Sequence, residues 1–195
     1  MDRIARKLDL DPAEIRLRNM VPTAEMPWTN VVGVRYDTGS FIESLEQAME
    51  MANYGDFRAS QVKSGRLVDG KYRGIGICTF TEVSGTGAPG WRARGLTRLP
   101  GFDSGLVKVE PTGEVTAFVS HAPSGQGHFT TFAQVVADAV GARLEDVTIV
   151  EGDTAAGPYG TNTFASRSAV TGGGALIRAS EKAKQKMARI AASSP

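Results

Sequence analysis

Glu114-Val115-Thr116-Ala117-Phe118-Val119, then His121-Ala122-Pro123-Ser124-Gly125-Gln126-Gly127-His128, then the apolar series Phe129, Phe132, Ala133, Val136 and Val140 lead from a strand through a glycine-rich turn into a helix. The apolar spacing i, i+3, i+4, i+7, i+11 is that of one helix face, and Gly141 stands where a left-handed C′ residue would end it. Just upstream, Ser104 to Glu110 pairs with Glu114 to Val119 as a hairpin around the turn Pro111-Thr112-Gly113. Downstream, Val147 to Val150 reads as a strand and Gly152 to Ala165 as a second polar, glycine-containing loop. A long helix from about Arg167 to Ile190 follows, with Ala191 to Pro195 as a frayed or truncated end. The order β-β-α-β-α predicts an α+β module with helices packed on a mainly antiparallel sheet.

The first half is more helical and more broken. Residues 2–8 read as the end of a helix that opens without a cap, as expected of a segment of something longer. Asp11-Pro12-Ala13-Glu14 begins a short helix, with Asp11 as N-cap and Pro12 at N1. Its apolar side is Ile15, Leu17 and Met20. Val21 to Gly39 reads as loop, and Phe41, Leu45, Ala48, Met49 and Ala52 mark an amphipathic helix. Gln61 to Tyr72 is polar, with turns at Lys63-Ser64-Gly65-Arg66 and Asp69-Gly70. Gly74 to Val83 is strand-like, which places Cys78 in a core, and Ser84 to Gly101 is a loop carrying Arg92, Arg94 and Arg98.

Composition narrows the function. The chain has 195 residues, 41% hydrophobic and 22% charged, enough for one domain or one and a half small ones. Twenty-two basic and 21 acidic residues give a net charge of +1, so no strong field draws nucleic acid or anionic lipid. A single cysteine forms no internal disulfide and no CxxC metal site, which suits a reducing, cytoplasmic compartment. No apolar run reaches the ~18–20 residues needed to span a bilayer.

The chemistry points to the two loops. Each runs from a strand into a helix N-terminus, where unpaired N–H groups and the helix dipole favour an anion. Gln126 offers an amide, Thr163, Ser166 and Ser168 offer hydroxyls, and Arg167 a fixed cation. Two such loops about forty residues apart suggest one large polar ligand bearing a phosphate. A free-standing nucleotide-phosphate module is the weaker reading, because no Walker lysine or dinucleotide fingerprint is present. His121 and His128 lack a third ligand nearby and read as hydrogen-bonding histidines beside a loop. A Ser124/His128/Asp153 triad lacks the strand-elbow-helix setting it would need. Glu151 reads as part of a solvated turn, Asp153 as a tie within its own loop, and Glu82 as a lesser candidate for a carboxylate on the substrate side.

Gly125-Gln126-Gly127-His128-Phe129-Thr130-Thr131-Phe132-Ala133-Gln134, Gly152-Asp153-Thr154, Pro158-Tyr159-Gly160 and Ala165-Ser166-Arg167-Ser168 together resemble the molybdenum hydroxylases of the xanthine dehydrogenase and aldehyde oxidase family. The likeness is to their carbon monoxide dehydrogenase large-chain branch. Asp2 to Met20 is similar to that family's segment between its molybdenum-binding domains. The resemblance implies a helical connecting segment over 1–60. It also implies a molybdopterin-binding α+β domain over 61–195, incomplete at its C-terminus. By motif, Gly125, Gln126, Gly127, Ser166, Arg167 and Ser168 would contact molybdopterin, or its cytosine dinucleotide. Phe164 and Ala165 would face the molybdenum and substrate. The implied enzyme hydroxylates an aldehyde, a heterocycle or a carbon monoxide-like substrate with oxygen from water. Its partners would be the remainder of the large subunit, an iron–sulfur small subunit and an FAD-binding medium subunit. The family's base glutamate lies outside the matched stretch, so the chain is expected to be inactive alone. The alternative expectation is a truncated, non-catalytic remnant or assembly piece of the same fold.

Overall fold

The computed structural model describes residues 1–64, 67–68 and 70–193, in two compact units, Met1–Phe80 and Thr81–Pro195. The turns expected at Gly65-Arg66 and Asp69, and the last residues Ser194 and Pro195, lie outside the described residues.

In the first unit, α1 (Asp2–Lys7) and α2 (Pro12–Leu17) are followed by a two-residue hairpin, β1 (Trp28–Thr29) with β2 (Arg35–Tyr36). Next come α3 (Phe41–Met51), α4 (Tyr54–Ser64) and a second short hairpin, β3 (Leu67–Val68) with β4 (Lys71–Tyr72). Asp11 caps α2 as its position implies: Oδ1 accepts from the Ala13 N–H at 2.7 Å. The same carboxylate accepts from the Tyr54 hydroxyl (2.9 Å) and Arg58 Nε (3.0 Å), tying α2 to α4. Burial works to raise its pKa, but these donors outweigh that and lower it. Arg16 makes a second tie, donating to the Ile77 carbonyl at 2.8 Å.

Several sequence expectations change here. The polar run starting at Gln61 continues α4 through Ser64 rather than turning at Lys63. Arg73 to Gly87 forms no strand, and Cys78 is exposed rather than in a core. The alternation Ile75-Gly76-Ile77-Cys78 suits a strand, but a strand persists only when paired, and none of the described residues pairs with it. The arginine-rich stretch is not all loop: α5 (Ala88–Ala93) carries Pro89 in its first turn and buries Trp91.

The second unit is the expected β-β-α-β-α module. β5 (Gly105–Val109) and β6 (Val115–Val119) form the antiparallel hairpin, in register from Gly105↔Val119 to Val109↔Val115. α6 (His128–Val140) then crosses over, and β7 (Val147–Val150) pairs parallel with β6. The sheet order is β5-β6-β7, so one pairing is antiparallel and one parallel. A π-helical turn, Ser168–Gly172, leads into α7 (Gly173–Ser193), so the last helix starts later than Arg167. The core joins alternate residues of β6 (Val115, Ala117, Val119) to Ile149, Phe132, Ala133 and Val136, and to Leu176 of α7. The buried face of α6 begins at His128, whereas Phe129, expected in that stripe, is 56% exposed.

Candidate functional site

Both loops reach their helices by the same backbone step. Gly127 lies in the left-handed region (φ 79°, ψ 26°) immediately before α6, and Ser166 (φ 49°) immediately before Arg167, which is right-handed (φ −102°, ψ −16°). A left-handed residue followed by a right-handed one turns successive N–H groups toward one point, which favours an anion. No side chain caps either opening. Gly125 (φ 92°) makes the first turn compatible with glycine. The second turn puts three non-glycine residues, Asn162 (φ 79°), Ala165 and Ser166, at positive φ. Backbone of that kind is costly and is kept where surrounding bonds fix it.

The loops meet across one cleft of about 480 Å³, lined by Gln126, His128, Thr163, Phe164, Ala165, Ser166 and Ser168 among others. That is within the ~300–1,000 Å³ usual for small-molecule sites. Gln126 is exposed, and its Oε1 accepts from the Ser124 N–H within the loop, which leaves the amide NH₂ as a donor. Phe164 is 38% exposed and tilts against Trp91, ring centroids 5.5 Å apart. Gly125 and Gly127 set the turn without lining the cleft. A larger groove, about 1270 Å³ between β5 and α7, touches none of the expected site residues.

Arg167 departs from its expected use. Its side chain has no exposed surface and does not line the cleft. The guanidinium donates to the carbonyls of Asn162 (2.7 Å), Gly101 (3.0 Å) and Thr86 (3.4 Å), and pairs with Asp103 Oδ2 at 2.7 Å. These partners occupy the fork of donors that a guanidinium offers, so Arg167 is a brace beneath the loop rather than a free cation.

Asp103 has no counterpart in the sequence reading. Its side chain is buried, and Oδ1 accepts from Thr161 N (3.0 Å), Asn162 N (3.2 Å) and the Ser120 hydroxyl (3.2 Å). Oδ2 faces Arg167 and, at 3.3 Å, His121 Nε2. Burial works to raise its pKa. Hydrogen bonding to His121 and Thr171 and the charge of Arg167 overcome this and hold the carboxyl well below the usual range. On its other side, His121 Nδ1 lies 3.0 Å from Thr163 Oγ1 and 3.1 Å from Ser168 Oγ.

A second buried histidine–carboxylate pair stands alongside: His128 Nδ1 to Glu151 Oε2 at 2.8 Å. Glu151 is thus no solvated turn, because its side chain is fully buried against α6. Asp153 does tie its own loop, accepting from Ala155 N at 2.8 Å. With Glu151 holding His128, the Ser124/His128/Asp153 arrangement does not exist. Glu82 and Arg92, Arg94 and Arg98 are exposed.

Comparison with known proteins shows the family of the chain. A family model described as the molybdopterin cofactor-binding domain matches residues 47–195. The nicotine 6-hydroxylase large subunit of Paenarthrobacter nicotinovorans is 41% identical over 98% of this chain and 23% of its own length. The carbon monoxide dehydrogenase large chain of Hydrogenophaga pseudoflava is 36% identical over 98% of this chain and 24% of its own. The crystal structure of quinoline 2-oxidoreductase from Pseudomonas putida 86 superposes with a TM-score of 0.67 at 40% identity, over 95% of this chain and 23% of that one. The chain spans about a quarter of the length of the curated relatives it matches.

Proposed function

Because the chain belongs to the molybdopterin cofactor-binding domain family, we propose that its two helix-opening loops grip one molybdopterin from opposite sides of the cleft. The observation that carries this reading is that both turns place residues on one cavity, Gln126 and His128 from the first and Thr163 to Ser166 with Ser168 from the second. The groups on the cleft fit the cofactor: backbone N–H groups of the first turn for its phosphate, the Gln126 amide for a ring or oxygen acceptor, and the Ser168 oxygen for a ring N–H group. When bound, molybdopterin supplies a redox-active molybdenum. The residues of this chain hold and orient it, and Phe164 and Ala165 form the wall toward metal and substrate.

In this proposal residues 1–60 connect this domain to the rest of a large subunit that works with iron–sulfur and FAD-binding subunits in the cytoplasm. Among the described residues no helix is long and apolar enough to cross a membrane. The cofactor's phosphate could extend to a cytosine dinucleotide. The reaction we propose is hydroxylation with oxygen from water. Of the expected substrate classes a nitrogen heterocycle is favoured, because relatives named for nicotine and quinoline match at 41% and 40% and a carbon monoxide dehydrogenase at 36%.

The test is molybdenum retention in the full-length subunit purified with its partners. Gln126→Ala removes one polar contact to the cofactor, costing roughly 1–3 kcal/mol of binding. Molybdenum per chain should fall under dialysis while the melting temperature of the cofactor-free protein holds. Unchanged retention would remove Gln126 from the site.

A further inference from the structure

We infer that Asp103 is a positioning residue: through His121 it sets the direction of the hydrogen bonds around Ser168, so that Ser168 meets the cofactor as an acceptor. The inference rests on the cofactor reading above and concerns residues that reading leaves beneath the cleft.

The direction follows from what each group can donate. An ionised carboxylate only accepts. Asp103 Oδ2 lies 3.3 Å from His121 Nε2 without hydrogen-bond geometry, so its negative charge, rather than a made hydrogen bond, favours the tautomer with the proton on Nε2. Nδ1 is then an acceptor, and the atoms around it are the hydroxyl oxygens of Thr163 and Ser168. Thr163 Oγ1 already accepts from Ala122 N (3.3 Å) and lies 3.3 Å from Ser168 Oγ. Thr163 can therefore give its hydrogen to His121 while Ser168 gives its own to Thr163, or Ser168 can donate to His121 directly. Either way the Ser168 hydrogen points inward. Ser168 lines the cleft, so its lone pairs are what a ligand meets. They suit an N–H donor on the cofactor's ring system and are wrong for a phosphate oxygen.

The surroundings are arranged to hold this state. Arg167 and Asp103 are both fully buried at the side chain and paired at 2.7 Å, which keeps the carboxylate ionised. The charged or titratable groups around His121 are Asp103, Arg167 across it, and His128, whose ring centroid is 6.0 Å away and which is held by Glu151. Gly172 packs so closely on the imidazole that a Cβ there would lie 2.6 Å from Cδ2 and 2.8 Å from Nε2. Any side chain at this position would press on the imidazole, so glycine here leaves the ring in place.

A double-mutant cycle in the full-length subunit with its partners tests this, reading the rate at which molybdopterin leaves the purified protein, followed by pterin fluorescence. Ser168→Ala should speed release about tenfold, the loss of one buried hydrogen bond. Asp103→Asn keeps an oxygen for Ser120, Thr161 and Asn162 but turns its NH₂ toward both His121 and Arg167, so it removes the buried ion pair as well. It reverses the tautomer and should speed release to a similar degree. If Asp103 acts through Ser168, the double variant releases no faster than either single one. Multiplying effects would overturn the inference, since they mean that Asp103 only holds the fold. His121→Gln with Ser168→Ala is the parallel cycle should Asp103→Asn not fold: the amide NH₂ can still face Asp103, but the acceptor at Nδ1 is gone. The same two outcomes then apply. If Gln126→Ala speeds release and neither cycle shows coupling, the inference fails alone. If Gln126→Ala, Ser168→Ala and Asp103→Asn all leave release unchanged, the cofactor reading fails with it.

Discussion

At the scale of the residue, the site depends on groups that never reach the cleft surface. Asp103 is the clearest. Its folded pKa is depressed, so its contribution to stability is fully present above the ordinary value of 3.8 and is lost as pH falls through the folded value. An acid titration of unfolding should therefore lose stability below about pH 4 in the parent protein. Asp103→Asn should start less stable and show a shallower loss. Equal acid slopes in the two would show that Asp103 is not paired as described. Gly172 gives a second test. Alanine there would press on His121 and on Phe132, whose Cζ lies 3.2 Å from the added carbon. Overpacking of this kind costs about 1–3 kcal/mol, so Gly172→Ala should lower the melting temperature by several degrees. Neither residue stood out in the sequence. Asp103 sits in Gly101-Phe102-Asp103-Ser104, which reads as an ordinary turn before a strand, and its ion-pair partner Arg167 lies 64 positions away. Nothing local records such a bond.

At the scale of the element, the legible parts are those whose stability is local. The hairpin at Pro111-Thr112-Gly113, the Asp11 cap, and α6 with its Gly141 terminus stand where the spacing put them, because turn, cap and periodicity act within a few residues. The misread parts depend on distant partners. The strand expected over Gly74 to Val83 has no neighbour among the described residues, and α5 is held by burial of Trp91 in a stretch whose glycines and arginines suggested loop. Within α6 the shift of the buried face by one residue, from Phe129 to His128, arises because Glu151 supplies a partner that makes a buried histidine acceptable. Two substitutions separate these readings. Phe132→Ala should cost about 3–5 kcal/mol in denaturant unfolding. Phe129→Ala, at a position 56% exposed, should cost far less. Comparable losses at both would restore Phe129 to the core.

At the scale of the whole molecule, the sequence disclosed the family and the order β-β-α-β-α, and through them two of the three things the site needs. It disclosed the loops and their hydroxyl and amide donors. It did not disclose the brace beneath them, because Arg167 reads equally well as a ligand cation or as a structural one until its three carbonyl partners are seen. In the proposed clamp, backbone N–H groups and Gln126 would face the cofactor, while Arg167, Asp103 and His121 hold the second loop in its positive-φ path. The proposed function stands or falls on whether these loops form one cofactor clamp. Its most direct test is elemental analysis of the native protein, captured from its source cells with an antibody to this segment. Molybdenum and chain should be present in equal amounts, with larger partner subunits in the same complex. A folded chain of this sequence, captured intact and free of molybdenum and pterin, would contradict the claim.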